Sequence, residues 1–428
     1  MMGSQLDTMS RPPVHHCVSP ASLFASLLGL LGCLALTGCR QLPALPRVLF
    51  VSVGTNADQK IDANGLSELK ADMAFLANGF RRIDPKTVFQ LSLYSDDDLL
   101  PVMQRRNRAA LGPDLFLING DTSRLLLKAG LVQAFPTTRE ELNRFTPATV
   151  HRLRTAQGQL AGLPAYLQTQ LACFNSRRLP TPPGTLNQLL AVSAAGHQVG
   201  LSLRAADVFW TAGSQGAIPG LEQAIRRQQP TAAQLKTIEG WLAWLQDASN
   251  QHRVTFYADQ AMAEQQLARG QLDWLPCRST SLVRLRRKMG AALGVTPLPR
   301  GDGGEASPMN RLRVWALGSN SDALARERAI RFARFSTNPL IQRELTVSTQ
   351  AVLPTNRFVE VPELSSTVLA AMVRASVQGE QAARLISLLE INDPRVASAQ
   401  YVITELVFGQ LTPKAATRLL INDLINKP

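Results

Sequence analysis

The chain is poor in the residues on which most protein chemistry depends. Its 428 residues include five cysteines, five histidines and four tyrosines, and aromatic residues make up 6%. So few cysteines exclude a disulfide-dense scaffold. No Gly-x-Ser-x-Gly elbow, Walker loop, Gly-x-Gly-x-x-Gly turn, His-Glu-x-x-His pair or Cys-x-x-Cys pair occurs. Nucleophilic, nucleotide-dependent and zinc chemistry therefore have no local motif behind them. His151, His197 and His252 each stand alone, the pattern of ordinary surface or core histidines. The acidic run Asp96-Asp97-Asp98 precedes a helical stretch, where negative charge suits the helix dipole better than it suggests a metal. The expectation is no metal, no cofactor and no catalytic residue. With 45% apolar and 18% charged residues, disorder, a collagen-like chain and a many-span membrane protein are excluded as well.

What the chain has in excess is positive charge: 45 Lys and Arg against 32 Asp and Glu, a formal +13. The basic doublets Arg105-Arg106, Arg226-Arg227 and Arg286-Arg287-Lys288 are scattered over predicted helices rather than gathered into one arm. They read as solvated faces drawn to anionic headgroups, not as a nucleic-acid surface. Ala21 to Leu36 is an uncharged run of 16 residues preceded by Arg11. It is short of the roughly 20 residues that a bilayer span needs, and small residues follow it, as in a secretion signal. Leu36-Thr37-Gly38-Cys39 resembles the lipobox of bacterial lipoproteins, whose signal peptidase cuts before a lipidated cysteine. That likeness implies a signal peptide over 1–38, acyl chains such as palmitate on Cys39, a tether over 39–46 and a membrane-anchored envelope protein. In an oxidising envelope Cys173 and Cys277 are either bonded to each other or two buried thiols, and the sequence leaves both open.

Beyond the tether the pattern alternates. Val48–Val53 is an apolar, β-branched run that ends at Gly54-Thr55-Asn56. Leu66, Leu69, Met73, Leu76 and Phe80 then recur at helical spacing, Val88–Tyr94 is a second strand, and residues 113–119 are a third that leads through Gly120-Asp121 into another amphipathic helix. Strands alternating with helices predict a doubly wound α/β sheet, with ligands beyond the carboxyl ends of its strands. That points to the turns at 54–56 and 119–121. Further along, Thr185 caps a helix bearing Leu186, Leu189 and Leu190. Trp241 lies on a helical core stripe, Gln260–Arg269 is helical, Leu272–Pro276 is a short strand, and Arg300–Pro308 reads as an exposed loop. The length suggests two or three lobes at about 100–200 residues per domain.

The order of these pieces resembles the extracellular solute-binding proteins of ABC importers, the class that includes maltose-binding protein. The carrying residues are Gly112-Pro113-Asp114-Leu115-Phe116, Ala129-Gly130-Leu131-Val132, the run Gly158 to Pro164, Phe174-Asn175, Pro182 to Leu186, Gly294 to Pro299 and Thr412 to Ala416. The resemblance implies a two-lobed periplasmic-binding-protein fold. Each lobe is a doubly wound sheet with helices on both faces, and hinge strands join the two. It places lobe one at 47–164 plus about 296–352 and lobe two at 165–295 plus 353–428. It implies a monomeric binding component, not an enzyme, that captures a small solute, a sugar or sugar-derived one by preference, and delivers it to permease subunits. An envelope sensory or structural protein of the same fold, or a lipid-anchored enzyme, are the alternatives. By position, the resemblance assigns ligand contacts to Gly54, Asn56, Asn119, Asp121, Gln168, Trp210, Arg278, Ser279, Thr280 and Trp315. Arg204, Arg278, Arg311 and Arg313 would suit an anionic ligand, whereas Tyr166, Trp210, Trp274 and Trp315 are the aromatic groups available to stack on a sugar.

Overall fold

The first strand, β1 (Arg47–Thr55), is buried along its second half, and parallel neighbours flank it on both sides: β2 (Thr87–Ser95) and β3 (Leu115–Asn119). This computed structural model describes residues 47–55, 63–96, 98–389 and 393–427. Asn56, Asp97, Cys39 and the signal and tether segments expected at 1–46 lie outside the described residues. The helix Ala63–Arg81 covers one face of the sheet and buries Met73, Leu76, Ala77 and Phe80, a three-to-four spacing that gives one apolar stripe.

Four later strands widen this parallel core into a mixed sheet. They are β4 (Val132–Gln133), β5 (Leu163–Gln168), and, much later in the chain, β11 and β12. The chain leaves the sheet at Thr169 and starts a second one with β6 (Gln170–Asn175). The sequence reads 167–175 as one extended stretch; it is two strands of different sheets. The second sheet continues with β7 (Val199–Ser202), β8 (Val254–Tyr257), β9 (Trp274–Arg278) and β10 (Leu293–Thr296), in the order β10-β6-β9-β7-β8. The chain then returns to the first sheet as β11 (Arg311–Gly318) and β12 (Leu353–Pro354), which completes the order β12-β5-β11-β3-β1-β2 with β4 beside β11. Both sheets are mixed: β7 runs parallel to β8 and β9, whereas β6 and β10 are antiparallel additions. The α/β class and the two-sheet architecture agree with the pattern read from the sequence.

Each sheet has its own core. Around the first sheet Leu49, Val51, Leu117 and Trp315 pack with Phe80 and Phe332. In the second, the two-residue period of β6 sends Ala172 and Phe174 to the Trp-rich face and Leu171 and Cys173 to the opposite one. Cys277 on β9 lies on that same opposite face, and the two cysteines form a disulfide with Cα atoms 5.6 Å apart. Thr185 caps its helix with a reciprocal bond to Gln188, and Trp241 is buried with its indole donating to Thr211 Oγ1 at 2.8 Å.

Several local expectations need correction. Leu272–Pro276 is displaced: the strand runs from Trp274 to Arg278. Asp98 stands at the N-cap of the helix Leu99–Arg108 but makes no side-chain cap bond, and Asp96 turns instead to Asn119. The 300–308 segment is an exposed loop only in part: Arg300 and residues 302–305 are exposed, but its far end is packed down. Gly303 N donates to Ser214 O, Ser307 N donates to Trp210 O, and Ala306 and Ser307 are buried. A Cβ at Gly301 or Gly303 would strike the 214–216 backbone at 2.2 Å, so the glycines there permit close backbone approach rather than flexibility.

Candidate functional site

The carboxyl ends of the parallel strands in both sheets open on one cleft of about 260 Å³. From the first sheet come Asp96 just beyond β2, Asn119 at the end of β3, and Gly120 to Thr122 in the first turn of the helix Gly120–Lys128. From the second come Arg204 and Asp207 after β7, and Arg278 and Thr280 at the end of β9. The floor is the pair of crossing segments, Gln168–Gln170 and Met309–Leu312. Position at strand ends is where an open α/β sheet places ligands, because helix N-termini and turn groups converge there.

The crossings are tied to each other. Met309 N donates to Gln170 Oε1 at 3.1 Å, Gln170 N donates to Asn310 Oδ1 at 3.1 Å, and Gln170 Nε2 donates to Asp207 O at 2.7 Å. Ser279 fastens a third point: Thr169 N donates to its hydroxyl, which donates to Ala351 O at 2.6 Å. Ser279, expected as a ligand contact, is fully buried and holds the crossing in place.

The charges of the cleft are ordered. Arg278 Nη2 meets Asp207 Oδ1 at 2.6 Å, and Asp207 also accepts from Ser202 Oγ. Arg124 meets Asp121 at 2.9 Å. Asp96 accepts from Asn119 Nδ2 and lies 3.5 Å from Arg313 Nη1. Arg152, on the helix Pro147–Leu153, has its pKa lowered chiefly by burial; the charge of Asp121 opposes that shift and the charge of Arg124 adds to it. Among the described residues no three histidine, cysteine or acidic side chains stand together to hold a metal.

Of the residues expected to touch ligand, Asn119, Asp121, Gln168, Arg278 and Thr280 line the cleft. Gly54 lies one layer behind it: its carbonyl accepts from Arg313, and a Cβ there would collide with the Asp96 carboxylate. The two tryptophans are corrections. Trp210 is fully buried, with ring centroids 6.4 Å from Trp244 and 6.3 Å from Trp274. Trp315, in the central strand β11, packs on Phe332 at 5.2 Å. Both are core because a strand or short helix covered on every side leaves an indole no open face. Arg313, a candidate for anions, is buried beneath the cleft, and Trp274 is buried as well. Sequence reasoning missed Arg152, Asp96, Gln170 and Asn310. The acidic run Asp96-Asp97-Asp98 just beyond β2 marks Asp96, but nothing local marks Arg152, which only tertiary packing brings to the cleft.

A family of bacterial extracellular solute-binding proteins matches residues 89–368. No curated protein matches the sequence. Among solved structures, the GacH receptor of Streptomyces glaucescens GLA.O, studied unliganded and with acarbose, is 14% identical and superposes with a TM-score of 0.71, covering 89% of this chain and 99% of that one. The MalE domain of Bdellovibrio bacteriovorus bound to maltotriose is also 14% identical, with a TM-score of 0.67 over 88% and 98% of the two chains. Maltose-bound MalE3 of T. maritima gives 14% and 0.63 over 88% and 98%. These similarities identify the fold as the two-lobed periplasmic-binding type, and the extent of the family match makes this chain a member of the bacterial extracellular solute-binding proteins.

Proposed function

We propose that the chain is the membrane-anchored solute-binding component of an ABC sugar importer, which captures a sugar or sugar-derived solute in the cleft and presents it to permease subunits. The observation that carries this reading is the polar cleft at the strand ends, floored by the two chain crossings. Family membership supports it, and so do the ligands of the structural neighbours, acarbose and maltodextrins. Its work is capture and release, not covalent chemistry. Ligand that touches both sheets favours the closed arrangement by its differential affinity for it. The lobes are proposed to divide where the chain changes sheets, 47–168 with about 309–354 and 169–308 with 355–428, because β5 runs to Gln168, β12 pairs with it, and Leu298 and Ala306 pack in the tryptophan-rich core. The protein is proposed to act as a monomer.

No helix among the described residues is long and apolar enough to cross a membrane. We assign the anchor to acyl chains on Cys39, since about 0.8 kcal/mol per buried CH₂ makes two or three chains a firm hold. Mass spectrometry of the processed N-terminus checks it: acylation at Cys39 is expected, and an unmodified chain beginning elsewhere contradicts it.

The binding reading is tested by thermal shift against neutral sugars, sugar acids, phosphorylated sugars, osmolytes and polyamines. A true ligand at a hundred times its Kd adds about 2.7 kcal/mol of stability. A raised midpoint with sugars or their derivatives is expected; a folded protein indifferent to the whole panel contradicts the reading.

A further inference from the structure

The cleft differs from what a neutral oligosaccharide needs. Sugar rings are held by stacking their apolar faces on aromatic side chains while amides and carboxylates bond the hydroxyls. Among the described residues, no Trp, Tyr or Phe lines this cleft. All five tryptophans are buried in the two cores. The neutral hydroxyl-bonding groups are there: Gln168, Thr122 and Thr280.

The charge is unbalanced as well. Four arginines line the cleft, Arg152, Arg204, Arg278 and Arg311, against three aspartates. Each aspartate is already engaged by an arginine: Asp207 by Arg278, Asp121 by Arg124, and Asp96 by Arg313 at 3.5 Å. Arg152 and Arg204 are different. Neither guanidinium forms a hydrogen bond or close ion pair among the described residues, although both are partly buried. They come from the two halves of the cleft, Arg152 from the helix Pro147–Leu153 beside the first sheet and Arg204 from the turn after β7 of the second. A cation half withdrawn from water without a partner is costly, and an oxyanion seated between such groups restores both the charge balance and the lost hydrogen bonds.

We infer that the solute is a polar, hydroxyl-bearing molecule carrying one carboxylate or phosphate, and that Arg152 and Arg204 receive that oxyanion. The inference rests on the solute-binding reading and narrows it. Gln168, Thr122 and Thr280 are left to bond the neutral portion, and an arginine contributed from each half makes the anion a bridge that stabilises closure. Burial of Arg152, which depresses its pKa, fits a guanidinium kept short of solvent until the ligand arrives.

Titration calorimetry on the full chain decides it with matched pairs: glucose against glucuronate, and glucose against glucose 6-phosphate. Binding of one anionic member at least about 10-fold tighter than its neutral partner is expected, with the gain shrinking as salt is raised. Which acid binds separates carboxylate from phosphate. Arg152→Gln and Arg204→Gln should each lower the affinity for the anionic member roughly 10- to 100-fold, at least about 5-fold more than they lower that for the neutral member, while Arg204→Lys retains part of it. Neutral sugars binding as tightly as their acids, or both variants leaving the acid's affinity intact, overturn the inference and leave the sugar reading standing. If a folded protein binds neither member of either pair, this inference is overturned, whereas the solute-binding reading falls only if the protein is also indifferent to the whole panel above.

Discussion

Arg313 Nη1 donates to Asn119 Oδ1 at 2.9 Å, and the two residues face each other directly across β11 and β3. The same guanidinium donates to Gly54 O at 2.5 Å and Leu117 O at 2.7 Å, and Asn119 passes the connection on to Asp96 through its amide. One buried arginine thus fixes the ends of three strands that form the wall of the cleft. Arg313→Ala removes the guanidinium beside the buried Asp96 carboxylate together with its bonds to Gly54 O and Leu117 O, which should cost about 3–5 kcal/mol. Denaturant unfolding followed by circular dichroism measures it; Arg313→Lys, a single point charge in place of the fork, should restore only part.

Trp210 and Gln168 should separate stability from affinity. Trp210→Ala opens a hole in the tryptophan cluster and should destabilise by about 3–5 kcal/mol while the folded fraction keeps its affinity. Gln168→Ala should leave the melting temperature unchanged and weaken solute binding by about 5–10-fold, the worth of one hydrogen bond. Parallel thermal and calorimetric titrations read both.

The Cys173–Cys277 bond closes a separation of 104 residues in sequence. On the chain-entropy view a loop of about 100 residues gives about 4.7 kcal/mol, and calorimetric analyses assign part of such gains to enthalpy. Reduction, or a Cys173→Ala, Cys277→Ala double variant, should therefore lower the midpoint by several degrees without moving the ligand affinity, because both sulfurs face the core opposite the tryptophans.

Near the C-terminus Asp423 accepts from Ser398 and lies 2.9 Å from Lys427 Nζ. Burial alone pushes its carboxyl pKa up; the bonds from Ser398 and Lys427, with the lysine's charge, outweigh this and hold the pKa below the ordinary carboxylate range. A folded-state value below the unfolded one means stability that is fully present above about pH 4 and lost as pH falls through the lower folded value. Asp423→Asn should cost about 1 kcal/mol at neutral pH and flatten the acid limb of stability below about pH 4, as acid titration of unfolding shows.

The order of strands and helices was legible because burial imposes a period: β1, β2 and β3 and the stripe ending in Phe80 all follow it. Strand-end turns then pointed to Asn119 and Asp121 on topology alone. The lapses have specific causes. Leu167 to Asn175 reads as one extended stretch, yet the chain changes sheets at Thr169, inside the polar run Gln168-Thr169-Gln170, and that run does not by itself tell a sheet crossing from a strand with a polar face. Trp210 and Trp315 resemble platforms in sequence, since an aromatic residue has the same letter in a core and at a surface. Arg313 follows the polar–apolar alternation of a strand edge, but β11 is central, and only its neighbours Asn119 and Gly54 reveal that it is a brace. Arg152 reached the cleft through packing of its helix, with no motif to announce it.

Capture of a solute in this cleft requires the space between its walls, and filling that space should abolish it. Ala206 lines the cleft and its side chain is exposed, so Ala206→Trp adds bulk without disturbing a core. Calorimetric titration of this variant and of the natural chain with the solute found by thermal shift gives the answer. The melting temperature should be unchanged and binding lost or weakened at least about 100-fold, since an indole displaces ligand from so small a volume. Equal affinity in the two proteins would place the solute elsewhere and contradict the account.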